Sequence, residues 1–116
     1  MDKTERMISE SPDRWIVIKI DNNGEAIYKV FATWYGGYLG ADRWKMNSGI
    51  AKVEGDDNSF YFYGHSGSCY QCPKSENCYG TSGYSQGVLD SIMGRVPHGY
   101  EIGVLEHDTD WLNLIK

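Results

Sequence analysis

Residues 14–35 constrain this chain more than any other stretch. Arg14 to Ile20 (RWIVIKI) is rich in β-branched residues, with Trp15, Val17 and Lys19 alternating against Ile16, Ile18 and Ile20. A period of two in apolar side chains is the mark of a strand. Asp21-Asn22-Asn23-Gly24 follows, and Asn and Gly tolerate the left-handed backbone of a tight hairpin. Ala26 to Tyr35 (AIYKVFATWY) then returns antiparallel to the first strand. Gly36-Gly37 ends it, and Tyr38 to Asp42 reads as a loop.

The same alternation of strands and turns continues along the chain. Arg43 to Met46, Ile50 to Glu54, Phe60 to Tyr63 and Ser68 to Cys72 read as strands. The turns between them are Asn47-Ser48-Gly49, Gly55-Asp56-Asp57-Asn58 and Gly64-His65-Ser66-Gly67. Ser85 to Met93 places Val88, Leu89, Ile92 and Met93 on one face of a helix, with Ser82 or Ser85 to cap its start and Gly94 to close it. Tyr100 to Leu105 is a last strand, and Asp108 or Thr109 heads a short helix containing Trp111, Leu112 and Ile115.

The expected fold class is therefore α+β: an antiparallel β-meander of about five or six strands with one main helix packed on one face. Residues 1–116 form one domain, with 1–12 a loosely ordered N-terminal arm closed by Pro12. A chain of 116 residues buries roughly two-thirds of its unfolded surface, enough for a core without staples. Trp15, Phe31, Phe60 and Phe62 are the expected core rings, and Tyr38, Trp44 and Tyr63 the expected surface rings.

The polar N-terminus lacks the apolar segment of a signal peptide, and no run is long enough to span a membrane. With three cysteines, an odd number, a cytoplasmic protein with reduced thiols is expected. The net charge of −5 is uneven: residues 1–50 carry seven Lys/Arg against seven Asp/Glu, and residues 51–116 carry four against nine. The sequence shows no basic patch of the kind that phosphate backbones require, which disfavours direct nucleic-acid binding.

His65, Cys69, Cys72 and Cys78 fall in one 14-residue stretch, H-x3-C-x2-C-x5-C. Four such ligands suit tetrahedral zinc, so a small zinc-stabilised module is one alternative reading. Against it, Cys69 and Cys72 on a regular strand face opposite ways, which suits packing and defeats chelation. Catalytic patterns are sparse. His107 lies between Glu106 and Asp108, but neighbours on a strand diverge, and no P-loop, dinucleotide fingerprint or nucleophile elbow is present. These features favour a non-enzymatic protein.

Aromatics make up 14% of the chain, and although most of them serve as bulk in a small core, some are expected to emerge on the surface. Trp34, Tyr35, Tyr38 and Trp44 cluster around Gly36-Gly37 with Arg43 beside them, and Tyr63 adds a ring from the FYFY strand. Tyr, Trp and Arg are the residues that dominate interaction hot spots. Glu106, Asp108 and Asp110 would share one face of an extended segment and form an acidic edge. A second alternative is a small-ligand or nucleotide sponge whose rings stack on a base. An edge strand of the meander offers a route to a dimer, with Arg14 to Ile20 the candidate if it lies on the edge.

The segments WYGGYLGADRW (34–44), MNSGIAKV (46–53) and YGHSGSCYQC (63–72) resemble stretches of small accessory proteins of tailed bacteriophages. That resemblance implies a phage-encoded protein that binds and disables a host protein, for example a component of antiviral defence such as CRISPR. It assigns no functional residue.

Overall fold

In the computed structural model, which describes residues 7–35 and 43–115, the first hairpin closes on Asn23 and Gly24 at φ of +56° and +90°. Two successive left-handed residues define a type I′ turn, whose twist matches that of the flanking strands. The Asp21 carboxylate accepts the Gly24 N–H at 2.8 Å and pins the turn. Register then follows by counting outward: β1 (Arg14–Asn22) pairs with β2 (Glu25–Trp34) from Asn22 opposite Glu25 to Arg14 opposite Thr33.

The other strands are β3 (Arg43–Met46), β4 (Ile50–Gly55), β5 (Ser59–Gly64), β6 (Cys69–Pro73) and β7 (Tyr100–Val104). One helix, α1 (Gly83–Met93), and 3₁₀ turns at Glu76–Cys78 and Trp111–Asn113 complete the described elements. The α+β class, the antiparallel pairing and the single main helix on one sheet face all follow the sequence. The described strands number seven, divided between two sheets of order β3-β2-β1-β7 and β4-β5-β6. Each sheet contains a three-strand meander. The break between them lies after β3, where Asn47 donates its N–H to the Val30 carbonyl and its Oδ1 accepts the Val30 N–H. Gly49, at φ +131°, then turns the chain into the second sheet.

β1 is buried on both faces because it lies between two covering layers. Trp15 and Val17, with Val30 and Ala32, face the second sheet and join Phe62, Tyr70, Cys72 and Trp111 in one apolar cluster. Ile16 and Ile18, with Phe31, face α1 and meet Leu89, Val88, Ile92 and Met93. The result is a helix–sheet–sheet stack. Trp15 is its hub, with ring centroids 4.7 Å from Tyr79, 5.3 Å from Phe62 and 5.4 Å from Trp111, and its Nε1–H donates to the Pro73 carbonyl at 2.8 Å. Edge-to-face ring contacts of this kind add to the burial of each side chain.

The helix forms where its caps are. Ser82 Oγ accepts the Ser85 N–H at 3.1 Å, and the Gly94 N–H closes on the Asp90 carbonyl at 3.0 Å.

Three expectations need revision. β1 is an interior strand between β2 and β7, so it offers no edge for a dimer. The acidic row does not form, because Thr109 N–H bonds back to the Glu106 carbonyl at 3.1 Å and the chain turns there. The short C-terminal helix reduces to the Trp111–Asn113 turn, with Trp111 in the core and Leu112 exposed. Of the N-terminal arm, residues 1–6 lie outside the described residues. Residues 9–11 run beside β6, with the Ser9 N–H on the Cys69 carbonyl and the Gln71 N–H on the Glu10 carbonyl, both at 2.9 Å.

Candidate binding surface

The end of β2 and the adjoining β3 carry most of the rings singled out from the sequence. Side chains on β2 alternate, so Phe31, Thr33 and Tyr35 point to the α1 side and Trp34 to the side of the second sheet. Trp44 pairs opposite Thr33 and therefore shares the α1 side. Its ring lies flat on Phe31, with centroids 5.3 Å apart and planes at 18°. It is 37% exposed and Tyr35 is 47% exposed, so both present faces to solvent from fixed positions.

Cations flank them. The Arg14 guanidinium lies 5.9 Å from the Tyr35 ring centre, and Arg43 lies 4.3 Å above Trp34. Trp34 itself is half-buried, and its Nε1–H donates to the Ser11 carbonyl at 3.0 Å. The Tyr35 N–H is held by the Asp13 carboxylate at 2.9 Å, and the Lys45 ammonium pairs with Glu10. Arg14, Tyr35 and Trp44 thus make a clamped aromatic and cationic edge on the α1 side, while Arg43 shares the opposite side with Trp34. Guanidinium groups over rings gain by cation–π attraction and stay oriented for a partner.

The other candidates lie elsewhere. Tyr38 is outside the described residues. Tyr63 sits on β5 in the second sheet, half-buried, with its hydroxyl donating to Glu54 at 2.9 Å and Lys52 over its ring at 4.8 Å. Glu106, Asp108 and Asp110 are exposed in the turn after β7, which is the opposite edge of the first sheet from β3. The aromatic and acidic groups therefore do not form one surface. His107 is not part of an acid–base pair: its Nε2 bonds the Lys74 carbonyl at 3.0 Å and its ring packs 5.4 Å from Tyr79.

The zinc constellation is not assembled. Cys72 points into the apolar cluster, and Cys69 lies on the other face of β6. Cys78 follows in a 3₁₀ turn, and His65 is exposed in a hairpin loop. Among the described residues no group of three or more His, Cys, Asp or Glu side chains could hold a metal ion. None of the three cysteines forms a disulfide. Burial first, and then the nearby Cys69, pushes the Cys72 thiol well above its ordinary value, so it stays protonated and behaves as a packed apolar group.

Arg14 and the Asp13 and Glu10 clamps were missed as site residues. The Asn23-Gly24 turn was signal enough for Arg14, since counting outward from it places Arg14 opposite Thr33. Among the described residues no helix is long and apolar enough to cross a membrane. Fold and surface together define a small α+β domain with a preorganised aromatic–cationic edge. No protein family, no curated protein and no solved structure matches the chain.

Proposed function

We propose that this chain is a binding protein that engages and disables a host protein through the edge formed by Arg14, Tyr35 and Trp44. The observation that carries the reading is the flat seat of Trp44 on Phe31. A large ring held rigid before contact loses little freedom on binding, which is the property of a hot-spot anchor. The Arg14 guanidinium beside Tyr35 adds the ability to meet a carboxylate or a further ring. The resemblance of three segments to phage accessory proteins supplies the setting, a phage-encoded protein acting on an antiviral defence component. Three cysteines with no disulfide between them suit the reducing cytoplasm of such a host.

The test is affinity capture from bacterial lysate with the native protein and with Trp44→Ala, followed by an activity assay of the protein captured. The reading requires one partner retained by the native protein and lost with the variant, and inhibition of that partner at near-equal molar ratio. Capture that is indifferent to Trp44, or a partner whose activity is unaffected, refutes it.

A further inference from the structure

We propose that β7 is a self-pairing edge, through which two copies of this chain join antiparallel about Ile102 into one continuous eight-stranded sheet. β7 hydrogen-bonds to β1 alone. The Leu105 N–H donates to the Val17 carbonyl at 2.9 Å, so the odd-numbered residues 101 and 103 also turn their backbone groups toward β1. Tyr100, Ile102 and Val104 turn theirs outward. The Tyr100 N–H is taken by the Pro97 carbonyl. Among the described residues the N–H and C=O of Ile102 and Val104 have no partner.

The other edges are guarded. β3 carries Arg43 and Lys45, β4 is interrupted by a bulge between Ile50 and Lys52, and the outer side of β6 is occupied by residues 9–11. Charges, bulges and covering segments are the ordinary means of blunting an edge. β7 carries a single charge, Glu101, and among the described residues neither a bulge nor a covering segment blocks its outward side.

A two-fold antiparallel pairing that uses the outward groups must place even residues opposite even residues. The register centred on Ile102 uses the whole strand, with Ile102 opposite the partner's Ile102 and Tyr100 opposite the partner's Val104. Tyr100 and Val104 are 40% and 42% exposed, and this register covers both with an aromatic–β-branched pair, a favourable cross-strand combination.

The opposite face carries the stronger argument. There Lys19 lies across from Gly103, and Asp21 across from Glu101. The proposed register extends the first row from Lys19 over Gly103 to the partner's Glu101, and symmetry repeats it. Gly103 is not required by its own backbone, and a Cβ there would meet nothing within 4 Å. The space above it is a cleft of about 240 Å³ lined by Lys19, Asp21, Glu101 and Leu105 among others. Strands lie about 4.8 Å apart, so Lys19 and the partner's Glu101 are about 10 Å apart at Cα, within reach of two long side chains. Lys19 has no ion pair among the described residues. The missing side chain at position 103 lets the partner's carboxylate reach this ammonium.

The pairing also bears on contact. β3 is the far edge of the same sheet, so a dimer carries two aromatic–cationic edges, separated by about 34 Å across seven strand spacings. Such an assembly is bivalent toward any partner with two sites at that spacing.

Sedimentation equilibrium of the full chain tests this, at concentrations reaching roughly 1 mM because so small an interface associates weakly. The native protein is expected to dimerise with rising concentration. Lys19→Glu and Glu101→Lys each create two like-charge pairs and weaken the dimer by roughly tenfold or more. An equimolar mixture of the two variants regains it, because a mixed dimer contains two opposite-charge pairs. Gly103→Val, which fills the cleft with a good strand residue, also weakens self-association while keeping the native melting temperature. A native protein that stays monomeric throughout, charge variants that still dimerise, or a mixture that fails to associate overturns the proposal.

Discussion

Tyr79→Phe removes one oxygen from a place where the β1–β7 ladder depends on it. In a regular antiparallel rung Val17 and Leu105 would exchange two backbone bonds. Only one is made directly, from the Leu105 N–H to the Val17 carbonyl. For the other, the Tyr79 hydroxyl stands between the strands, accepting the Val17 N–H at 3.2 Å and donating to the Leu105 carbonyl at 2.5 Å. Phenylalanine keeps the ring on Trp15 and leaves one N–H and one C=O without a partner in a dry place. Each such orphan costs about 1–3 kcal/mol, so the variant is expected to lose about 2–4 kcal/mol. For a domain of this size that is a fall in Tm of roughly 8–15 °C. The assay is thermal unfolding by circular dichroism at neutral pH, with amide exchange at Val17 as the local readout. A Tm within about 2 °C of native, or unchanged protection at Val17, would refute the relay.

The same hydroxyl sets an alkaline limit. Burial pushes Tyr79 up to about 12, opposed by the Val17 hydrogen bond, and burial together with the Glu10 charge pushes Tyr70 up to about 12. Both folded-state values stand above the ordinary 10, so the fold favours the neutral phenols. The stability this contributes is complete below pH 10 and is lost as pH rises through about 12. In Tyr79→Phe the decline over that interval is shallower.

Further outcomes are expected at three other places. Gly24→Ala costs about 1 kcal/mol in urea unfolding, because the turn holds φ at +90° in open space, where only backbone strain opposes a Cβ. An unchanged midpoint contradicts the type I′ assignment. Ser82→Ala removes the acceptor for the Ser85 N–H and costs about 1 kcal/mol, with Ser82→Asp restoring most of it. Dialysis against a strong chelator leaves the melting curve unchanged, since the thiols and His65 are not assembled. A falling Tm would revive the zinc reading.

The strands and helix were legible because each carries its own local signals. The hairpin turn fixes register for nine residue pairs, and α1 has both caps in its sequence. The division into two sheets was not legible, because Asn47 looks like an ordinary turn residue. Its role depends on reaching the Val30 backbone, a contact made only after β3 has paired. The acidic row failed for a similar reason: Glu106, Asp108 and Asp110 share a face only if the segment stays extended, and the Thr109 bond to Glu106 bends it. On the surface, Trp44 was read correctly as exposed from composition and spacing. Trp34 and Tyr35 were read as one cluster although strand alternation sends them to opposite faces. Tyr63 was assigned to the same surface although it lies on the other sheet.

The central claim is that this chain works by contact through the edge built on Trp44. A photo-crosslinking residue placed at position 44, and separately at exposed Leu112 in the Trp111–Asn113 turn, tests it in one gel from bacterial lysate. The account predicts a single discrete adduct from position 44 and none from position 112. Equal labelling from both positions, or adducts from position 112 alone, would contradict it.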